Sequence, residues 1–453
     1  MDRQTVRDIG VNICRFAVAA TFVFSGFVKA IDPIGTQYKL HDYLAAVGMQ
    51  ELVPDYATLA AAVMLAAVEF SLGIFLLFAI RRRITARLTL AVMTVMTAIT
   101  VWIAIADPVK DCGCFGDAVK LTNWQTLAKN VVLLAATAVI CRHPFSMVRF
   151  ISRTNQWIAV NYTIIYSIAI STWCLYDLPL LDFRPYSVGT DIRKAMEIPE
   201  GAEQPEFETT FLMKKNGKTK EFTLENYPDS TWTFVDSKTV QVKEGYVPPI
   251  HDFTMEDPTT GNDLTDDILS RRSYTFLLIS PHLENADDSN FGDLNRIYDY
   301  CLAHKYRFYA LTASNRKAVE RWRDMTGAEY PFLFTDETTL KTIIRSNPGL
   351  LLIKDGTVVR KWSHNRLPQM DENMPRLERM TEGRMPKQTT GMTILGTMLW
   401  FFLPLLLLTL ADRMWAWTKW VRKPAKAENP SAGNRNAEEQ DADGKTTEQE
   451  KTT

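Results

Sequence analysis

The sequence predicts two architectures in one chain, an α-helical transmembrane bundle and an extracytoplasmic α/β domain built on a central sheet. Two observations carry this reading. Six apolar runs, near 11–30, 57–80, 88–106, 125–141, 157–176 and 393–411, are each about long enough to cross a hydrocarbon core of roughly 30 Å as a helix. Between the fifth and sixth lies a polar stretch, 177–392, in which strand and helix patterns alternate. The composition averaged over 453 residues hides this division, and a formal net charge of −1 gives no reason to invoke nucleic acid.

The first run, "VNICRFAVAATFVFSGFVKA", is too long and too poor in a small-residue cleavage site for a removable signal peptide, so it reads as an anchor that stays. Basic residues orient the bundle. Arg3, Arg7 and Arg15, the linker "RRRITAR" (81–87), Arg142, Arg149 and Arg153, and Arg413, Lys419, Arg422, Lys423 and Lys426 all fall on one face if both termini are inside. That orientation puts the loops 31–56 and 107–124 and the stretch 177–392 outside a cytoplasmic (inner) membrane.

Residues 1–176 then form a bundle of about five helices. The second span, "ATLAAAVMLAAVEFSLGIF", has the small-residue spacing that lets helices approach closely in lipid. Glu69 within it is costly in hydrocarbon and is expected to turn inward to a partner or site. Lys29, near the outer end of the first span, reads as a side chain that snorkels to the interface.

Residues 177–245 read as a linker and small β-rich subdomain, with "KNGK" as a hairpin turn. From 246 to 365 the order is β-α-β-α-β-α-β-β: "YTFLLIS" has the form of a buried strand, "FGDLNRIYDYCLAHK" of a helix, "YRFYALTA" of a strand, "NRKAVERWRDMTG" of a helix. "PFLFTD", "ETTLKTIIRS" and two strands across a "KDGT" turn complete it, implying a sheet with helices on its faces. Residues 366–392 read as a linker, 393–411 as the last span, and 412–453 as a basic, then disordered, cytoplasmic tail.

The chemistry concentrates in "DPVKDCGCFGDAVKLTNW" (107–124), where Cys112 and Cys114 stand one glycine apart at the outer mouth of the bundle. Cysteines so close can close a bond only in a small strained ring, and strain makes a disulfide easier to reduce. That suits a thiol-exchange pair, with Gly113 allowing the backbone angles and Cys174, at the outer end of the fifth span, as a resolving partner. Two alternatives stay open. One is a static disulfide from Cys112 or Cys114 to Cys174 that staples the bundle. The other is a metal site completed by His41 or Asp117, although zinc sites usually space paired cysteines by two or more residues. Cys14 and Cys141 lie at the inner ends of their spans, and Cys301 falls in step with Phe291, Leu294 and Ile297 on a helix, so it reads as a buried structural thiol.

Residues 11–145 resemble the DoxX/MauE family of small membrane proteins, through "FSGFVKAIDP", "VEFSLGIFLL" and "DCGCFGD" followed by "LTNWQTLAKNVVLL". The resemblance implies a redox theme: maturation of disulfide-bearing envelope proteins, with a quinone as candidate electron acceptor. Residues 246–365 look like a thioredoxin-like domain of the TlpA kind, but "LISPHLENADDSNFGD" stands where that fold carries Cys-x-x-Cys. The same resemblance makes Asn347-Pro348 the cis-proline of a peptide-binding groove.

The reading that follows is an accessory protein for redox maturation, exchanging disulfides between Cys112 and Cys114 and an envelope client or periplasmic thiol carrier. The domain lacking Cys-x-x-Cys binds the client. A second reading is a membrane-anchored binding or assembly scaffold without chemistry. A third, solute transport, rests on Glu69 alone.

Overall fold

The computed structural model describes residues 2–421 apart from 110–111, 200, 203–205, 216–217, 224–232, 244 and 388–389. The bundle begins with α1 (Arg3–Ile31), α2 (Pro33–Ala46), α3 (Asp55–Leu77), α4 (Arg82–Ala106), α5 (Asn123–Arg142) and α6 (Gln156–Tyr176). Among these, α1, α3, α4, α5 and α6 are long and apolar enough to span a membrane. Helix α2 was not anticipated. Its "PIGTQYKLHDYLAA" is too polar to register as a span, yet Pro33 at its first turn and the Asp32 carboxylate, accepting from Gly35 N at 2.9 Å, start it firmly.

Helices α1 and α3 are drawn together by two glycines. A Cβ on Gly26 would lie 2.3 Å from the backbone nitrogen of Phe70, and one on Gly73 would lie 2.7 Å from that of Val23. In lipid, where apolar side chains gain little from leaving one solvent for another, this close packing is what holds helices together.

After α6 come a short helix, α7 (Ile192–Met196), and a three-stranded antiparallel sheet of β1 (Glu206–Lys215), β2 (Lys218–Thr223) and β3 (Thr233–Lys243), in the order β2-β1-β3. The expected KNGK hairpin joins β1 to β2 through the pair Lys215 and Lys218; its two central residues lie outside those described. Next come α8 (Thr265–Leu269), β4 (Tyr274–Ser280), α9 (Phe291–His304), β5 (Arg307–Thr312), α10 (Arg316–Thr326), β6 (Phe332–Phe334), α11 (Glu337–Ile343), β7 (Gly349–Lys354) and β8 (Thr357–Ser363). These reproduce the expected element order. The sheet runs β6-β5-β4-β7-β8, with β4, β5 and β6 parallel and β7 and β8 antiparallel to their neighbours. All seven residues of β4 are buried, as a central strand with both faces covered must be. One face packs Phe276, Ile297, Tyr300 and Trp322, the other Leu277, Ile279, Leu340 and Ile343. This connectivity resembles that of thioredoxin-like folds, and the Asn347-Pro348 bond before β7 is cis.

Two stretches read as linkers are parts of this domain. Tyr186 and Ile192 fill the second core, and Met370 and Leu377 fill the first, where Tyr300 Oη donates to Pro375 O at 2.7 Å. Isolated apolar residues among prolines and charges carry no periodicity, so burial could not be read from the pattern. The chain re-enters the bundle through α12 (Thr390–Val421), whose segment Thr390–Trp415 is the sixth helix able to span a membrane. Phe401 seats it against Tyr166 and Phe70 at centroid distances of 4.5 and 5.0 Å. The tail from 422 onward, read as disordered, lies outside the described residues.

Candidate functional site

Three segments far apart in sequence meet at one point. Cys112 and Cys114 are free thiols with Sγ atoms 2.7 Å apart, on a loop turned by Gly113 at φ 60°. The carbonyl of Cys114 accepts from Lys29 Nζ at 2.8 Å and from Ser25 Oγ at 2.7 Å. Lys29 Nζ also reaches Glu69 Oε2 and Ser25 Oγ, each at 2.7 Å, so its three protons have three acceptors. Both charged side chains are only 7% exposed. Lys29 therefore does not snorkel. Glu69 lies fourteen residues into α3, about 21 Å along a helix axis, so α3 extends well past the end of α1 and encloses Lys29. The Gly26 and Gly73 crossing brings the two charges together. Removing one partner would leave an uncompensated buried charge, at a cost of about 3–5 kcal/mol.

The surroundings of the two sulfurs are unlike. Cys112 Sγ lies 2.7 Å from Cys114 Sγ and 3.4 Å from Thr126 Oγ1, and it accepts from the Cys114 amide N–H at 3.4 Å. Thr126 is in the first turn of α5, whose N-terminus is closed by a capping box of Thr122 and Gln125 and favours negative charge. These groups, the Cys114 thiol foremost, with the Lys129 ammonium adding to them, bring the Cys112 thiol down to about 6 against the opposing effect of burial. Cys114 is pushed up, first because its proton is held between the two sulfurs and then by burial. Lys129 itself stacks over Phe115 at 4.1 Å, and Tyr43 Oη donates to Cys112 O at 2.5 Å.

The pair opens into a cavity of about 1290 Å³ shared by the bundle and the sheet domain. Its inner wall is apolar, with Phe22, Met93 and Leu133 from the spans. Its roof includes Pro281, His282 and Asn347 of the sheet domain. The roof is held by one side chain above all. Arg345, after α11, pairs with Asp32 and with Asp117, both at 3.1 Å, and lies over the ring of Tyr38 at 5.3 Å. Asp32 follows Lys29 by three residues and Asp117 follows Cys114 by three, so the loop that carries the thiols is also the loop that carries the domain. Further ties run from Arg366 to Asp177 at 2.7 Å and from Asn365 Nδ2 to Tyr176 O at 2.8 Å.

Of the residues named from sequence, Cys112, Cys114 and Glu69 come together, and Asn347 lines the same cavity. Asn347 Oδ1 accepts from Ser280 Oγ at 2.7 Å and its Nδ2 donates to His282 O at 2.9 Å, so it braces the Ser280-Pro281-His282-Leu283 turn that follows β4. Cys174 sits elsewhere, packed with Ile31, Phe70, Ile170 and Leu181. Cys301 is buried in the domain core, where burial pushes its thiol up. His41 is engaged with Thr58 and Asp55, and Asp117 with Arg345; among the described residues no three metal-ligating side chains cluster. Ser25, Lys29, Thr126, Lys129 and Arg345 were not singled out as site residues. Ser25 and Lys29 lie inside "FSGFVKAIDP", and the helical spacing of four between them was the available signal.

The joined motifs decide the relationship of the membrane part. Residues 7–142 match the family described as Methylamine utilisation protein MauE. The MauE family domain thus covers α1 to α5, including the dithiol, the Lys29–Glu69 pair and both acidic partners of Arg345. Residues 207–244 match a domain of unknown function, DUF8463. No curated protein sequence matches the chain. A solution structure of a candidate protein disulfide isomerase from Bacteroides thetaiotaomicron is similar at 17% identity and a TM-score of 0.22, over 26% of this chain and 77% of its own.

Proposed function

We propose that this chain is an inner-membrane accessory protein for redox maturation of envelope proteins, with Cys112 and Cys114 as its exchanging dithiol. The observation that carries the reading is that Lys29, paired with Glu69, and Ser25 converge on the Cys114 carbonyl beneath the thioredoxin-like roof. The basic residues flanking the spans support cytoplasmic termini and a periplasmic sheet domain.

The step balances without other groups. The Cys112 thiolate attacks one sulfur of a client disulfide, and the departing sulfur leaves as a thiolate and takes a proton. Cys114 then loses its proton and attacks Cys112 Sγ, releasing the second client sulfur. One client disulfide is reduced to two thiols, one taking the Cys114 proton and the other a proton from solvent, while the pair becomes a disulfide. A periplasmic thiol carrier restores it. In the reverse direction the client is oxidised, and the electrons pass to an acceptor of the quinone class, for which the apolar inner wall of the cavity is suited. Asn347, which lines the roof, and Pro348 beside it shape the groove that takes the client chain over the thiols.

A trapping experiment tests this. The full-length Cys114→Ser variant should accumulate a mixed disulfide through Cys112, detected by non-reducing electrophoresis and mass spectrometry, and Cys112→Ser should abolish it. The scaffold reading is favoured by the Ser280-Pro281-His282-Leu283 turn, which has no thiols. It predicts no trapped species and full activity of the double Cys112→Ser, Cys114→Ser variant.

A further inference from the structure

We infer that the Ser25–Lys29–Glu69 cluster is a positioning device that sets the redox balance of the Cys112 and Cys114 pair. The inference rests on the dithiol reading above and deepens it. Lys29 Nζ and Ser25 Oγ hold the Cys114 carbonyl at 2.8 and 2.7 Å, and that carbonyl is the next backbone acceptor after the left-handed Gly113. The clamp therefore fixes the turn that brings the sulfurs to 2.7 Å. A Cβ on Gly113 would meet Lys39 Cγ at 2.9 Å, so the turn has little room to relax on its other side.

The cluster is also electrostatic. The reduced pair carries negative charge on Cys112, and the oxidised pair carries none. Lys29 favours the reduced form and Glu69 opposes it. The ammonium touches the Cys114 carbonyl directly, whereas the carboxylate reaches it only through Lys29. Two electrons and one proton, that of Cys114, leave the thiolate–thiol pair on oxidation, so its charge falls from −1 to zero and each neighbouring charge acts on the equilibrium between dithiol and disulfide.

The test equilibrates native membranes holding the full chain in glutathione redox buffers, then quantifies the Cys112–Cys114 bond by differential alkylation and mass spectrometry. Lys29→Met should favour the disulfide and Glu69→Gln the dithiol, each by about tenfold, or about 30 mV for a two-electron couple. Ser25→Ala keeps both charges and should move the balance less than either. A merely structural role would shift Lys29→Met and Glu69→Gln in the same direction or leave both at the wild-type value, and either result overturns the inference. If Lys29→Met does not accumulate in membranes, the Glu69→Gln shift decides alone. A wild-type pair that never interconverts would defeat the dithiol reading itself, whereas a wild-type pair that titrates beside unshifted variants defeats only this inference.

Discussion

Cys112 sits beside the Cys114 thiol, Thr126 Oγ1 and the Cys114 amide, groups that favour its thiolate, whereas Cys114 is pushed up, so the two thiols of one short loop should differ sharply in reactivity. The sign follows from the lowered value. The thiolate of Cys112 forms as pH rises through about 6, so its alkylation rate should climb across that point and level off by neutrality, while Cys114 stays slow. Stopped-time alkylation of the reduced protein between pH 4.5 and 9 measures this; a midpoint near the ordinary thiol value would contradict the assignment. Thr126→Val and Lys129→Met should each move the midpoint upward, because each removes a group that stabilises the thiolate. Cys301, sealed in the domain core and pushed up by burial, should stay unlabelled until the domain unfolds.

At the scale of elements, the α1–α3 crossing builds the site. Gly26→Ala would place a methyl group against the Phe70 backbone, separate the helices and part Lys29 from Glu69. Overpacking of this kind costs about 1–3 kcal/mol, read as a lowered unfolding temperature in detergent, with disordering of the Cys112 loop read as faster labelling of Cys114. Gly10→Ala, with open space around its Cβ, is the control that should change neither. Much of this level was legible in the sequence. The six spans and the βα order of the sheet domain follow from period and length, because long apolar runs and short buried strands have few alternatives. Helix α2 was missed because a polar helix covering a bundle has neither signal, and the pairing of Lys29 with Glu69 was missed because helix depth depends on how far α3 outruns α1. The thiol loop stood out in the sequence as the candidate site. Its partners on α1, α5 and the sheet domain were not, since they are contributed by tertiary contacts that no local pattern encodes.

At the scale of the molecule, the sheet domain roofs the dithiol and Arg345 is the latch. It is buried between Asp32 and Asp117, which lie on the two segments that flank the thiol site. Arg345→Ala leaves two carboxylates without their cation, and loss of one partner of a buried pair costs about 3–5 kcal/mol. The domain should then lift from the bundle, seen as faster reaction of Cys112 with a bulky maleimide than with a small one relative to wild type. Unchanged size selectivity would show that the roof is held by the Asp177 contacts of Arg366 instead.

The account stands most directly on the state of one bond. Native membranes holding the full chain, equilibrated across a series of reduced and oxidised glutathione ratios and alkylated before and after reduction, report which cysteines pair and how readily. The account predicts a bond between Cys112 and Cys114 that forms and opens reversibly within that series, with Cys174 outside it. A bond from either cysteine to Cys174 that resists the reducing buffers, or thiols that stay free at every ratio, would contradict it.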